Sequence, residues 1–247
     1  MINKVHVVLK KEELQEEKLD GKTAVVFDIL LATSTITAVL QEGAKAVIPV
    51  MDEAEARELA KQFSPEEIAL VGEYGGKTIE GFLDPNPSSL KEFIQNKTVI
   101  LSTTNGTVAI RKASEAKKVY AASLLNSEVV AEMILRNNEN ETILLVCSGS
   151  SGQFCLEDLY GAGYFLQCLL NRAAFTLTDA ARAALLFYQS YKDEAVQILG
   201  QSAVGQMLMQ YGFDEEVGFV SRKSVYSIVP QVVDGTIINE EENTCLK

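Results

Sequence analysis

The chain is poor in the residues that several catalytic chemistries need. It has a single histidine, His6, within the apolar run of residues 5–9. Gly149-Ser150-Ser151-Gly152 also lacks the spacing of a nucleophile elbow, so the pattern argues against a serine triad. The four cysteines, Cys147, Cys155, Cys168 and Cys245, show no Cys-x-x-Cys spacing. Nothing at the start resembles a signal peptide, and reduced thiols in a cytoplasmic protein are expected. No apolar run approaches the roughly 20 residues of a membrane span, which excludes a membrane partner of that kind. Basic residues are in the minority, 22 against 34 acidic, and the net charge of −12 argues against nucleic acid or an anionic membrane as partner. A Gly-Lys-Ser/Thr loop and a G-x-G-x-x-G loop are both missing, which ranks a nucleotide-binding protein last.

What the chain does have is one pattern twice: an apolar run that stops in hydroxyls and then starts a helix. Val25-Val26-Phe27-Asp28 leads into Thr33-Ser34-Thr35, and Val99-Ile100-Leu101 leads into Ser102-Thr103-Thr104-Asn105-Gly106-Thr107. Strand ends of this kind offer helix N–H groups and side-chain donors to an anion, most often a phosphate. An acidic chain that handles phosphate must add local positive charge from a few basic residues, helix N-termini or a bound cation. Divalent metal is the expected source.

Strand-like runs at residues 5–9, 24–27, 46–50, 68–71, 99–101 and 143–146 alternate with helical periodicity, as at Ile36, Val39, Leu40 and Ala44. That order predicts an α/β fold, layered α/β/α, on a mostly parallel or mixed sheet. At the offset from Thr35 to Thr107, 107 − 35 or 72 residues, Ala44, Lys45 and Val47 fall on Ala116, Lys117 and Val119. Residues 1–247 therefore read as a single α/β domain in which a βαβ unit could be duplicated, with halves of about 1–95 and 96–247. Glycines and prolines across residues 72–87 predict a long irregular loop beside the site. A helical segment follows residue 152, with Thr178, Asp193 and Ser202 as expected N-caps. The end returns to strand at residues 225–229 and in a hairpin over residues 232–238, turning at Asp234-Gly235. Oligomeric state is left open, a homo-oligomer included.

Known phosphatase signatures fail one by one. After Val25-Val26-Phe27-Asp28, the second aspartate of a haloacid-dehalogenase-type site is Leu30; after Cys147, the arginine of a thiolate phosphatase is Gln153. Four carboxylates at strand ends or beside glycine loops remain: Asp28, Glu73, Glu157 and Asp158. Hard oxygen ligands suit Mg²⁺, which takes one or two carboxylates and leaves the rest of its shell to water and phosphate. Asp28 is expected to hold metal or to attack phosphorus, with Glu73 and Asp158 as metal ligands or water activators and Glu157 as a further ligand. Thr33, Ser34, Thr104, Asn105 and Gly106, with Ser150 and Gly152 nearby, are expected to cradle the phosphate. Capping alone is the competing account of the hydroxyls, and the helix dipole that of Glu157 and Asp158.

These segments together resemble the 2-phosphosulfolactate phosphatase family, Mg²⁺-dependent enzymes of coenzyme M biosynthesis. The resemblance is carried by residues 28–34, by Gly72-Glu73 with Ile79-Glu80-Gly81-Phe82 and Asn86, and by Thr103-Thr104-Asn105-Gly106-Thr107. Gly149-Ser150-Ser151-Gly152-Gln153-Phe154, Glu157-Asp158 and Val229-Pro230-Gln231 continue it in the family's order. It implies hydrolysis of the small anionic ester 2-phospho-3-sulfolactate to sulfolactate and phosphate. The chain departs from the family pattern at Leu31 and Tyr74, each in place of an arginine, and at Leu83, in place of an aspartate. Two guanidinium forks for anions are thus absent. A substrate-altered or non-catalytic anion-binding member is the alternative reading.

Overall fold

A computed structural model describes residues 4–137 and 141–240; Cys245 lies outside them. Eleven strands form one mixed sheet: Lys4–Val8 (β1), Thr23–Phe27 (β2), Ala46–Val50 (β3), Ile68–Tyr74 (β4), Lys77–Thr78 (β5), Thr98–Ser102 (β6), Lys118–Ala121 (β7), Ile143–Cys147 (β8), Thr176–Leu177 (β9), Pro230–Val233 (β10) and Thr236–Asn239 (β11). The helices are Ala32–Gln41 (α1), Glu53–Ala60 (α2), Lys91–Ile94 (α3), Gly106–Lys112 (α4), Ser127–Asn137 (α5), Leu156–Leu170 (α6), Asp179–Ser190 (α7), Ala195–Gln201 (α8), Ala203–Gln210 (α9) and Asp214–Val220 (α10). No described helix is long and apolar enough to cross a membrane.

The apolar runs become strands because a parallel sheet covered on both faces buries every side chain along them. All five residues of β2 and of β8 are buried. Val25 and Phe27 pack with α6 and α7 residues such as Phe165 and Ala184, while Ala24 and Val26 pack on the other face with Ile36 of α1 and Ala109 of α4. Three layers, α/β/α, follow.

The strand order is β5-β4-β6-β3-β11-β10-β7-β2-β8-β1-β9. Two blocks, each parallel within itself except that β5 pairs antiparallel with β4, are joined by the β10–β11 hairpin, which meets β7 through Gln231 and Tyr120 and β3 through Ile237 and Val47, antiparallel at each step, so that the blocks run in opposite directions. The three strands of each block nearest the hairpin, β3-β6-β4 and β7-β2-β8, repeat one arrangement. In one, Thr98 of β6 pairs with Ala46 of β3 and Ile68 of β4; in the other, Thr23 of β2 pairs with Lys118 of β7 and Ile143 of β8. Residues from both sides of position 95 interleave in each block. The middle strands β2 and β6 carry the two hydroxyl-rich ends, and α1 and α4 start beside each other.

Three local expectations change. Residues 225–229 are not a strand: Ser224 and Tyr226 donate their N–H groups to Leu124 and Leu125 carbonyls, so this backbone is tied to a loop rather than to a ladder. Asp193 is not a cap, because α8 begins at Ala195 after Glu194, whereas Thr178 and Ser202 do cap α7 and α9. The glycine-rich stretch after residue 72 is partly ordered as a hairpin, with Glu73 opposite Thr78 and the Gly75-Gly76 turn at φ of 58° and 78°.

Candidate active site

The C-terminal ends of β2, β6 and β8 open onto a cavity of about 440 Å³. Open α/β sheets place ligands at such ends. Asp28, Glu73, Glu157 and Asp158 all border it, with Thr104, Asn105 and Ser150.

The four carboxylates have different amounts of free bonding capacity. Asp158 accepts from the Ile29 N–H through Oδ1 and the Gly149 N–H through Oδ2, both at 3.0 Å, and so joins the β2 end to the β8 end. Glu73 accepts from the Thr104 N–H at 2.7 Å, the Thr104 hydroxyl at 3.1 Å and the Gly76 N–H at 2.8 Å, which joins β4 to the turn after β6. Both act as clamps between loops. Glu157, 2% exposed, has an Oε2 atom with no hydrogen-bond partner. Asp28, at 8% exposure, lies against the start of α4. Burial, then Glu73 and Glu157, push the Asp28 carboxyl up to about 7. Burial also raises Glu157, and burial with Glu157 and Asp28 beside it raises Asp158. Several buried acids side by side disfavour their own ionisation, and Lys11 only partly offsets this at Asp28.

Glycine at position 106 is what lets α4 approach Asp28. A Cβ there would lie 2.4 Å from Ala32 Cβ and 2.6 Å from Asp28 Oδ2. Gly149, at φ 66°, fits where a Cβ would meet the Gln153 carbonyl oxygen at 2.5 Å. Gly152 also has positive φ, 71°, and its carbonyl accepts from Lys10 Nζ at 2.9 Å. The Leu30–Leu31 peptide bond is cis.

The hydroxyls divide in the same way. Thr33 is fully buried; its Oγ1 accepts from the Asp28 N–H and donates to the Asp28 carbonyl, and the Ser34 hydroxyl donates to the Ile29 carbonyl. Neither borders the cavity, so these two close the β2–α1 turn and do not line the expected cradle. Thr103 and Thr107 brace the second turn reciprocally, each N–H donating to the other's hydroxyl at 3.1 Å. The Thr104 hydroxyl and N–H both go to Glu73, which leaves Asn105 and Ser150 as the better-placed polar side chains.

Lys11 was not among the residues expected from sequence. It is buried after β1, and its Nζ donates to Asn105 Oδ1 at 2.8 Å and the Ser148 carbonyl at 3.3 Å and pairs with Glu12 at 3.2 Å. An ammonium only donates, so Asn105 must turn Oδ1 toward Lys11, which leaves its NH₂ to donate elsewhere. The demand for local positive charge, with Lys10-Lys11 directly after an apolar strand, is the signal that could have found it. Asn86, which belongs to the resemblance, borders the cavity with a buried, unpartnered Oδ1.

Among the described residues no group of three or more His, Cys, Asp or Glu is arranged to hold a metal by itself. Mg²⁺ does not need such a group. Asp28 and Glu157 fit a two-carboxylate site, because a buried oxygen without a partner leaves a lone pair for a cation.

Residues 8–235 match the family model described as 2-phosphosulpholactate phosphatase. Proteins named probable 2-phosphosulfolactate phosphatase are similar along the chain. One from Caldicellulosiruptor saccharolyticus is 39% identical over 88% of this chain and 92% of its own. One from Clostridium perfringens is 36% identical over 99% of each, and one from Clostridium acetobutylicum is 34% identical over 95% of this chain and 100% of its own. With Asp28, Asn105 and Glu157 meeting at one cavity beyond the ends of β2, β6 and β8, the chain belongs to the 2-phosphosulfolactate phosphatase family, a family of phosphoric monoester hydrolases.

Proposed function

We propose that the protein is a Mg²⁺-dependent phosphatase that hydrolyses a small phosphate monoester in the cavity at the ends of β2, β6 and β8. The names of its relatives make 2-phospho-3-sulfolactate the first ester to assay. The observation that carries the reading is the pair Asp28 and Glu157, two buried carboxylates of which Glu157 keeps an unpartnered oxygen. Mg²⁺ held by them would neutralise charge on the phosphoryl oxygens and on a bound water. Asn105, oriented by Lys11, donates its NH₂ to a phosphoryl oxygen, and the Ser150 hydroxyl is a second donor. Asp158 ties the β2 end to the β8 end and Glu73 ties the turn after β6 to β4, which limits reorganisation of these donors during the reaction. Water attacks phosphorus, the ester P–O bond breaks and the alcohol leaves with a proton.

Phosphate release from 2-phosphosulfolactate and from a generic aryl phosphate, with Mg²⁺ or chelator, tests this for wild type and Asp28→Asn. Turnover is expected only with Mg²⁺, and Asp28→Asn is expected to reduce it by about a hundredfold or more. A folded preparation that releases no phosphate from any ester under Mg²⁺ would sink the proposal.

A further inference from the structure

A substrate that carries an oxyanion besides its phosphate needs a second set of donors, and the cavity floor does not supply one. Among the described residues lining the cavity there is no lysine, arginine or histidine. Four cations lie around it, and three have partners. Lys11 has three donors and three partners, Asn105, the Ser148 carbonyl and Glu12. Lys10 donates to the Gly152 carbonyl at 2.9 Å. Arg57 borders a separate cavity, where it pairs with Glu53 and donates to the Glu80 carbonyl. Lys77, exposed on β5, makes no hydrogen bond or ion pair among the described residues.

The place of Lys77 suits a ligand contact. Gly76 and Thr78, its neighbours in sequence, both line the cavity, and so does Gly75. Across the hairpin Lys77 is opposite Tyr74 and Thr78 is opposite Glu73, so the Lys77 and Thr78 side chains leave opposite faces of the strand. The turn between the strands is Gly75-Gly76, which puts no side chain in the way of a flexible four-carbon stem. The ammonium can therefore bend over the turn to the cavity mouth.

A neutral group stands on the same wall. The Thr78 hydroxyl donates to Asp84 Oδ2, which ties the hairpin to the loop of Pro85 and Asn86. Asn86 is buried at the cavity edge, its Oδ1 has no partner, and its NH₂ donates to no described residue. A buried amide with both ends free calls for a ligand. The carboxylates on this side already accept hydrogen bonds, Asp84 from Thr78 and Glu73 from Thr104 and Gly76.

We propose that Lys77, with Asn86 on the adjoining loop, forms a second anion subsite, so that the protein selects phosphate monoesters whose carbon chain also carries a carboxylate or sulfonate. The inference rests on the phosphatase reading and names what gives it specificity. Phosphate is held at the strand ends, and Lys77 pairs with the oxyanion at the other end of the substrate. Because the ammonium is exposed, water screens the pair and its effect is modest.

Initial rates on 2-phosphosulfolactate under saturating Mg²⁺, with inorganic phosphate as the competing product, test this for wild type, Lys77→Ala and Lys77→Glu. KM is expected to rise by at least about fivefold in Lys77→Ala and further in Lys77→Glu, with kcat within about threefold of wild type. The Ki for inorganic phosphate, which has no second anion, should move by less than about twofold in Lys77→Ala. Thermal midpoints show that the variants are folded, and either folded variant serves for KM. A smaller rise in KM, or a Ki that rises by the same factor, overturns the inference while phosphate release leaves the phosphatase reading standing. A wild type that hydrolyses an aryl phosphate and not 2-phosphosulfolactate does the same. No turnover of either ester overturns the phosphatase reading and this inference with it.

Discussion

At the scale of single residues, neighbouring carboxylates in the site should respond to substitution in opposite ways. Asp158→Ala strands the buried Ile29 and Gly149 N–H groups, each worth about 1–3 kcal/mol when left unpaired, so its thermal midpoint should fall whether or not Mg²⁺ is present. Glu157→Gln removes a buried charge whose Oε2 has no partner. Its metal-free midpoint should stay within about a few degrees of wild type, but the Mg²⁺-induced rise should vanish. Differential scanning calorimetry with and without Mg²⁺ separates the two, and equal Mg²⁺ responses would remove Glu157 from the proposed metal site. Gly106→Ala should lose about 1–3 kcal/mol of stability, together with activity, because its Cβ must displace Ala32 or Asp28. The sequence showed which polar residues collect at the strand ends, since residue type and position after an apolar run are both local. It could not show which were already in use. Thr33 and Ser34 read like Thr104 and Asn105 until their bonds to the Asp28 and Ile29 carbonyls are seen. Lys11 depends on a contact across 94 residues to Asn105, which no local pattern encodes.

At the scale of elements, the central hairpin is the piece whose packing should matter most. Ile237 is fully buried and opposite Val47, so Ile237→Ala should cost about 2–5 kcal/mol, read from urea unfolding. A loss below about 1 kcal/mol would mean that β11 contributes little to joining the two blocks. The edge of the second block offers a pH test. Glu141 is buried, which opposes ionisation, but Lys117 at 2.5 Å and the Thr23 hydroxyl at 2.8 Å hold its pKa below the ordinary 4.5. A depressed pKa stabilises the fold above the unfolded value, and that contribution is lost as pH falls through the folded value. Glu141→Gln should therefore be less stable than wild type at pH 7, with the gap closing below about pH 4.5. Equal gaps at pH 7 and pH 3.5 would refute the assignment. The strands were legible because unbroken apolar runs such as those of β2 and β8 belong to a sheet covered on both faces. The extended run before Pro230 carries a strand-like pattern without being a strand. Apolar alternation records burial, but the partner of its backbone is the loop at Leu124 and Leu125, which periodicity does not reveal.

At the scale of the whole molecule, a net charge of −12 surrounds a cavity proposed to take an anion. The long-range field opposes encounter, and added salt screens it over about 10 Å at 0.1 M. With Mg²⁺ held saturating, kcat/KM for any phosphate ester should rise as inert salt increases from about 0.02 to 0.2 M, and a steady fall would show that local cations dominate approach. The order of the sheet has a further consequence for how the chain is made. The hairpin of residues 230–239 fills the middle of the sheet, yet it is translated after every other described strand. While the chain leaves the ribosome, β3 and β7 each present an unpaired edge, the kind of edge that recruits other chains. Completion of the last two strands therefore decides whether a newly made chain closes on itself or joins its neighbours.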